Sequence, residues 1–496
     1  MDIQPHQELH HEIFGSILDQ TEMKPFLLQS ATDYATSLRQ ATRMMANRGF
    51  DTLGSTELRT SERARASQYI RRAYDYFFEE LFPAVSDQLA GLASLRSPNE
   101  TLYRSCLSAI PEIAAILNNG SFRSLVNDDP RHLLLLASSR RYPFVFDGYQ
   151  GRAMTVPHAW QQAGCCLLKM VHLIKSIEED SQDINDYAEL GFFLGTRGIG
   201  FNDLSAFAWE QPPQVPDTEP ARRAFVKISL FFRRLRESLN FDNKKGCLVF
   251  RSGDGVAVEI AEVKARFKSP ASMITKLGKD VEGEAFDIRD ILAVTFILMD
   301  RNDTLKLFHA LQKRGVILQE NTVSTSITQT LFDNPESMKE AVKRLMISLA
   351  RGRGNNELPD ERSVESAAVA FFEALGMNAG QNTHTSKGHR KFQCKIGFSV
   401  PIHRAGVTNE ILIPGTALYE RRDELSQKTE QHTLGVELRI SDVESWRASE
   451  QTGESHHDAY KFRQLVSVMN RVFKKMFHFP AERFDQLRKD QEALFS

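Results

Sequence analysis

The sequence VKARFKSPASMITK, residues 263–276, changes its residue pattern at Ser269-Pro270. Before it, polar and apolar residues alternate, which is typical of a strand. Residues two apart on a strand point to the same face, so Arg266 and Lys268 should project together. The strand is therefore expected to end with two cations on one side.

After this change of pattern, the residue types favour a short helix. Ser269 suits the N-cap position, and Pro270 suits the first helical position, where no backbone N–H is needed. Ser272 and Lys276 lie four residues apart and would share one face of this helix. Two cations, a hydroxyl and a helix N-terminus together indicate a polyphosphate site. The alternative is a solvent-exposed basic strand edge followed by an ordinary capped helix.

The composition places phosphate binding in local clusters rather than in the protein as a whole. The chain has 496 residues, with 62 Lys and Arg against 64 Asp and Glu. A nearly neutral chain has no general electrostatic attraction for nucleic acid. A hydrophobic content of 41%, with 33 Phe, indicates a globular protein with substantial cores. At roughly 150 residues per domain, about two to four domains are expected.

Cysteine usage and hydropathy predict a reduced, cytoplasmic setting. The five cysteines form no C-x-x-C pair, which argues against a zinc site and against a secreted disulfide framework. The N-terminal residues lack the basic and apolar regions of an export signal, and no apolar run of about 18 residues occurs. We therefore expect no membrane span.

The residue patterns divide the chain into a helical part and a mixed part, which predicts an α+β fold. Residues 1–240 are expected to form a mostly helical domain whose role the sequence does not indicate. Residues 241–480 carry the strands, with a helical insertion at about 319–390, and 481–496 form a helical tail. Helical spacing of apolar residues is clearest in three segments: Ala35–Met45, Tyr69–Leu89 and Ala163–Ile177.

The first strands of the mixed part form a predicted hairpin, Cys247–Arg251 and Val256–Phe267, joined by Ser-Gly-Asp-Gly. A continuously apolar run begins at Ile291 and predicts a buried central strand. Asp290 stands at its entrance, either as a cap for a neighbouring turn or as a functional carboxylate.

Later strands are predicted at Phe392–Ile402, Glu410–Ile413 and Gly435–Ile440. In the last of these, Glu437 shares a face with Arg439. A closing helix then places three polar side chains on one face, at spacings of three and four residues. These are His457, Tyr460 and Lys461.

In their order and spacing, these features resemble the synthetase domain of the RelA/SpoT family, which transfers pyrophosphate from ATP to the 3′-hydroxyl of GDP or GTP. That family binds ATP with R-x-K-x-x-x-S-x-x-x-K. Arg266, Lys268, Ser272 and Lys276 match this motif at every position. The resemblance covers residues 245–465 approximately and leaves the N-terminal half unexplained.

The acidic motifs of the family are also similar to segments of this chain. The family's metal-binding Asp opens a D-x-x-A-x-R strand; here Asp290 and Ala293 are present, but Thr295 stands in place of Arg. The catalytic Glu of the family lies in a V-E-I-Q-I strand, to which the segment containing Glu437 is similar, with Arg439 in place of Gln.

The acceptor side resembles the family less. The guanosine motif G-Y-Q-S-x-H corresponds best to residues 391–396, which keep an aromatic residue and Gln as Phe392 and Gln393 but lack Gly, Ser and His. The family's closing G-x-x-x-H-x-x-Y-K is reproduced by Gly453, His457, Tyr460 and Lys461.

The resemblance implies a nucleotidyltransferase-like mixed sheet and an ATP-dependent pyrophosphokinase that makes alarmones of the stringent response. It implies that Asp290 and Glu437 hold Mg²⁺ and act in catalysis, and that Glu437 accepts the proton of the attacking hydroxyl. Phe392 and Gln393, with His457, Tyr460 and Lys461, would bind the acceptor, a guanine nucleotide.

Two alternatives stay open. The first is pyrophosphorylation of the tRNA 3′ end, as in toxin-like relatives, favoured by the altered acceptor motif and by a basic cluster of Lys387, His389, Arg390 and Lys391. The second is a catalytically silent nucleotide-binding regulator, favoured by the departures at Thr295 and Ile396.

Overall fold

The structure is a computed structural model. It describes residues 56–128, 133, 136, 158–180, 182–196, 216, 218–279, 290–317, 322–354, 356–375, 390–403, 429–451, 453 and 456–496. The helices are α1 (Thr56–Asp75), α2 (Phe82–Ser94), α3 (Glu100–Leu117), α4 (Gly120–Asp128), α5 (His158–Asp180), α6 (Gln182–Gly195), α7 (Glu219–Ser238), α8 (Pro270–Lys279), α9 (Thr304–Lys313), α10 (Pro335–Gly352), α11 (Glu361–Leu375), α12 (Val443–Gln451), α13 (His457–Val472) and α14 (Phe484–Leu494). A π-helix, Tyr76–Leu81, joins α1 to α2, and 3₁₀ turns occupy Arg301–Asp303 and Ala481–Arg483.

The described strands form one mixed sheet of seven strands, which together with the helices confirms the α+β prediction. The strands are β1 (Leu239–Asp242), β2 (Cys247–Arg251), β3 (Ala257–Phe267), β4 (Leu292–Leu298), β5 (Thr322–Gln329), β6 (Phe392–His403) and β7 (Thr429–Asp442). Their order in the sheet is β1-β2-β3-β4-β7-β6-β5. The β4–β7 pair is parallel, and the other pairs are antiparallel.

Contacts between residues divide the chain into two compact units. The first contains residues 1–180, 274–283 and 462–490; the second contains residues 181–273, 284–461 and 491–496. This division falls elsewhere than the predicted boundary at residue 240, because α6 and α7 group with the sheet. Helices α8 and α13 each begin in the second unit and end in the first.

The first unit contains the aromatic segment 69–89, and the prediction that this segment faces a core is confirmed. Tyr69, Phe77 and Leu89 are buried. The ring of Phe77 packs against Phe473 with 5.1 Å between centroids. The π-helix widens the backbone at this point and directs Tyr76 towards α8, where its hydroxyl lies 2.8 Å from Thr275 Oγ1.

The second unit contains the sheet, and its strands follow the predicted patterns closely. All seven residues of β4 are buried, as a continuously apolar sequence predicts for a central strand. Strands β2 and β3 form the predicted antiparallel hairpin. Helix α9 ends at Lys313, two residues before Gly315, whose φ of 68° is readily adopted only by glycine.

The segment predicted as a helical insertion, residues 319–390, contains the two expected helices α10 and α11 but also a strand that the sequence interpretation missed. Strand β5 pairs antiparallel with β6 and forms an edge of the sheet. Its sequence, TVSTSITQ, is rich in β-branched residues, which favour a strand. It has too few apolar residues to show the alternation that predicts a strand, because a strand at the edge of a sheet buries less apolar surface than a central strand.

Two predicted elements, Ala35–Met45 and Glu410–Ile413, lie outside the described residues, as do Lys387 and His389 of the predicted basic cluster. Among helices in the described part of the chain, none combines the length and the apolar content that a membrane span requires.

Candidate active site

One face of the sheet carries the polar residues of four neighbouring strands. Residues in register across β3, β4, β7 and β6 form two polar rows on this face. The first row is Arg266, Ala293, Glu437 and Lys395, and the second is Lys264, Thr295, Arg439 and Gln393. The row between them, on the opposite face, is buried and largely apolar: Ala265, Val294, Leu438 and Cys394. We refer to the side that carries the two polar rows as the polar face.

The strand-to-helix motif has the predicted local structure. Ser269 caps α8, because its hydroxyl accepts the backbone N–H of Ser272 at 3.2 Å, and it lies 2.9 Å from the Ser272 hydroxyl. The backbone N–H of Lys268 donates to the Ile291 carbonyl at 2.8 Å, which joins the end of β3 to the start of β4. Lys276 lies one turn further along α8, in the part of that helix that belongs to the first unit.

Asp290 forms an ion pair with Lys268. Its side chain is 9% exposed, and the residue lies two positions before the start of β4. Of the two roles left open for this acid, the contact with Lys268 favours the functional carboxylate, because it links the acid to the phosphate motif 22 residues earlier.

Glu437 is 3% exposed and forms an ion pair with Arg439, two residues later on the same face. Burial by itself raises the pKa of this carboxyl, but the charges of Arg439 and Lys391 outweigh burial and the opposing charge of Asp290, and they hold the pKa well below its ordinary value. Glu437 is therefore ionised at neutral pH. A carboxylate with so low a pKa accepts a proton poorly, so this arrangement favours charge stabilisation over the expected role of general base.

Arg439, on β7, lies beside the position on β4 where Thr295 replaces the arginine of the family motif. Thr295 stands at the position where the resemblance implies Arg, and its register partner on β7 is Arg439. A guanidinium is thus present in the same row of the polar face, supplied by the adjacent strand. The sequence already contained this information, since Arg439 stands where the resembling motif has Gln, but only the register pairs the two departures.

Lys391 and Lys395 belong to the polar face. Lys391 was predicted only as part of the basic cluster for tRNA, and Lys395 was not predicted. Burial lowers the pKa of Lys391 to about 7, assisted by the charge of Arg439. The backbone of Lys391 is fixed by Thr330, whose N–H donates to its carbonyl at 2.7 Å. Arg390, its partner in the predicted basic cluster, instead pairs with Asp333 at 3.0 Å. Both lysines could have been identified from the sequence, because residues 391, 393 and 395 alternate along β6 and therefore share one face.

Phe392 was expected to bind the acceptor, and its position does not fit stacking on a base. The ring is buried, with 1% exposure, and its centroid lies 5.1 Å from that of Phe308. Its neighbour Gln393 faces the polar side. Adjacent strand residues point to opposite faces, so the two cannot serve the same site.

Polar side chains in the first turn of α13 interact electrostatically with the charged residues of the polar face. The side chain of His457 is 53% exposed; partial burial and the charge of Arg266 lower its pKa. Burial lowers the pKa of Arg439, but Glu437 and Tyr460 raise it above its ordinary value. Lys461 follows on this helix and is half-buried. The charge of Glu450, on α12, opposes the lowering of the pKa of both Arg266 and His457. Glu450 was not predicted as a site residue.

The acids of the polar face fit a hard divalent cation in number and type. Asp290 and Glu437 supply carboxylate oxygens, and Mg²⁺ is commonly held by one or two carboxylates together with phosphate oxygens and water. Within the described residues, no cluster of three or more His, Cys, Asp or Glu side chains has the arrangement of a metal site. The two acids are thus compatible with a metal that a bound nucleotide helps to hold.

No protein-family model, no curated protein and no solved structure matches the chain.

Proposed function

We propose that the polar face binds ATP and transfers its β,γ-pyrophosphate to the 3′-hydroxyl of a guanine nucleotide, as the resemblance to RelA/SpoT synthetases implies. One observation carries this proposal: Arg266 and Lys268, at the end of β3, lie in one electrostatic group with Asp290 and Glu437. These four residues come from three strands or strand ends and are up to 171 positions apart in sequence.

The charge balance of this face supports a polyphosphate ligand. Six cations share the face with the two central carboxylates: Lys264, Arg266, Lys268, Lys391, Lys395 and Arg439. Lys268 and Arg439 pair with these two acids, and Lys264 lies 3.6 Å from a third acid, Glu262. The other three cations, Arg266, Lys391 and Lys395, form no ion pair with any residue that the structure describes. Phosphoryl transfer depends mostly on alignment and charge neutralisation, for which positioned cations are suited.

Asp290 and Glu437 are the residues that would hold Mg²⁺, which when bound would neutralise charge on the transferred phosphates. Lys268 pairs with Asp290, and the charge of Arg439 lowers the pKa of Glu437 and keeps that carboxylate ionised. The backbone N–H groups at the start of α8 point out of the helix end that Ser269 caps and favour a phosphate oxygen there.

The transfer forms a bond between the acceptor 3′-oxygen and the β-phosphorus and breaks the bond from that phosphorus to the oxygen that stays on AMP. The hydroxyl proton needs an acceptor with a pKa near the working pH. Lys391, with a pKa of about 7, meets this condition better than Glu437. We therefore assign proton acceptance to Lys391 and charge stabilisation to Glu437.

The test is incubation of the purified chain with γ-labelled ATP, Mg²⁺ and GDP or GTP. We expect AMP and a guanosine tetraphosphate or pentaphosphate in equal amounts, and loss of both in Glu437→Gln. Glu259→Gln, in an exposed acid of β3 that pairs with Lys245, is the matched control and should retain activity. Absence of transfer by the folded wild-type chain would refute the proposal.

A second acceptor is favoured by the burial of Phe392. Without this ring, the described part of β6 offers Lys391, Gln393 and Lys395 to the acceptor, which suits a phosphate-rich partner such as the tRNA 3′ end. Labelling of tRNA, with toxicity on expression that Glu437→Ala abolishes, would support this acceptor. Nucleotide binding in calorimetry without turnover on any acceptor would instead indicate the silent regulator.

A further inference from the structure

A second cluster of positive charge surrounds the turn that joins β2 to β3, residues 252–255. Arg251 ends β2, and its carbonyl accepts a hydrogen bond from Nε of Arg314 at 2.9 Å. Arg314 directly follows α9, so this bond fixes the end of that helix beside the end of β2. Both arginine side chains are exposed.

Helix α10 approaches the same turn through a glycine. A Cβ atom placed on Gly352 would lie 2.3 Å from the Asp254 carbonyl oxygen, so no larger residue fits without movement of the backbone. On the turn, Gly255 has a φ of 84° and contacts Gly352. This close approach brings the two residues that flank Gly352, Arg351 and Arg353, to the turn. Both are exposed.

The acid in the turn does not neutralise these arginines. The carboxylate of Asp254 accepts bonds from the Ser252 hydroxyl and from Nε2 of His309 at 2.7 Å. Because the acid lies between the hydroxyl and the imidazole, Ser252 has no base beside it and is not a candidate nucleophile. The group instead fixes the shape of the turn.

The four arginines at this turn are all exposed and outnumber the single acid within it, Asp254. Arg251, Arg314, Arg351 and Arg353 form no ion pair with any residue in the described part of the chain, whereas Arg344, on α10, pairs with three acids. The chain as a whole has a formal net charge of −2, so such a cluster is not a general property of its surface. Guanidinium groups match the geometry of phosphate oxygens particularly well.

We propose that these four arginines, the turn arginines, bind the sugar-phosphate backbone of a nucleic-acid duplex. Segments 251–255 and 351–354 read RSGDG and RGRG and contain no apolar or aromatic side chain. Bilayer binding by a protein surface uses apolar insertion as well as charge, and binding of unpaired bases uses aromatic stacking. Contact with a regular phosphate backbone requires neither.

The turn arginines are separate from the candidate active site. They lie at the start of β3, whereas Arg266 and Lys268 lie at its end, ten residues or about 33 Å away. The proposal therefore does not depend on the proposed function, and a failure of one leaves the other unaffected.

The test measures binding of the full chain to labelled 20-base-pair RNA and DNA duplexes by fluorescence anisotropy over a range of salt concentrations. Four phosphate contacts predict a slope of about −3.6 for log K against log salt. Replacing all four turn arginines with Gln should weaken binding at least tenfold and remove most of this slope. Arg351→Gln with Arg353→Gln, which leaves the bond from Arg314 to Arg251 intact, should remove about half.

The control variant replaces four exposed basic residues elsewhere in the second unit with Gln, which changes the net charge equally: Lys244, Arg301, Lys343 and Arg362. It should bind the duplex like the wild type. The proposal is overturned if the wild type does not bind either duplex at 50 mM salt, if the control loses as much affinity as the quadruple variant, or if the arginines are needed only for binding to anionic lipid vesicles.

Discussion

Among single residues, Arg439 is the side chain that most distinguishes the polar face. It pairs with the buried Glu437, and it supplies a cation next to Thr295, where the resemblance implies Arg. Thr295 and Arg439 both differ from the family motifs, and they are register partners on adjacent strands. Together they amount to an arginine that is placed on β7 instead of β4. The resemblance then implies that the positive charge is kept but lies on the adjacent strand.

Replacing Arg439 with Gln should therefore cost stability. The change leaves Glu437 buried without its partner, and breaking a buried ion pair costs 3–5 kcal/mol. Because the Arg439 side chain is 21% exposed, we expect a smaller decrease of about 2 kcal/mol in the free energy of unfolding, measured in urea. Adding Thr295→Arg should restore part of it, and Thr295→Arg alone serves as the control. A decrease below about 0.5 kcal/mol would show that the pair contributes little.

Lys391 gives the proposed reaction a characteristic pH dependence. A lysine accepts a proton only when neutral, so the transfer rate should rise as the pH increases through about 7. In Lys391→Met the rate should fall at least tenfold and this rise should disappear, whereas Lys395→Met should keep it. An unchanged pH profile in Lys391→Met would remove this residue from proton transfer.

Asp254 makes folding sensitive to acid. Burial raises its pKa, but the hydrogen bonds from Ser252 and His309 outweigh burial and lower it from 3.8 to about 2. The folded state thus prefers the ionised carboxyl; the stabilisation is complete above pH 4 and lost as the pH falls towards 2. Asp254→Asn should be less stable than the wild type by about 2 kcal/mol at pH 6, at 1.36 kcal/mol per pKa unit. If urea unfolding gives the same difference at pH 6 and pH 2.5, the assignment is wrong.

At the scale of elements, alternation and capping were sufficient to predict the hairpin, the buried β4 and the start of α8. The face that a strand presents was harder to predict. Strand β6 lies where it was predicted, but Phe392 and Gln393 were both assigned to the acceptor although adjacent residues face opposite sides. Strand β5 was missed because its polar sequence lacks the apolar alternation that reveals buried strands. Register between strands, which pairs Thr295 with Arg439, is a property of the sheet and not of any one segment.

The π-helix is the element of the N-terminal half that reaches the phosphate motif's helix. Tyr76→Phe removes the hydrogen bond between two buried hydroxyls, those of Tyr76 and Thr275, and should lower the free energy of unfolding by about 1 kcal/mol. It should also speed amide exchange in residues 274–279. Tyr74→Phe, which removes a bond to the Leu117 carbonyl within the helices, is the control and should leave that exchange unchanged. Equal exchange in both variants would mean that Tyr76 does not hold α8.

At the scale of the whole molecule, the two compact units do not divide the chain at residue 240, where the sequence pattern changes from helical to mixed. Helix α8, which begins at Pro270, and helix α13, which begins at His457, each start in the sheet-containing unit and end in the other unit. Sequence patterns gave no indication of this arrangement, because it depends on contacts between segments nearly 400 residues apart.

The central claim is that the polar face moves pyrophosphate from ATP to an acceptor hydroxyl. The most direct measurement follows γ-labelled and α-labelled ATP in parallel, with Mg²⁺ and a panel of GDP, GTP and tRNA acceptors. The account predicts that the γ-label moves to an acceptor while the α-label appears as AMP, and that Asp290→Asn and Glu437→Gln abolish both. Persistence of transfer in these two variants, or no transfer to any acceptor by the folded wild type, would contradict it.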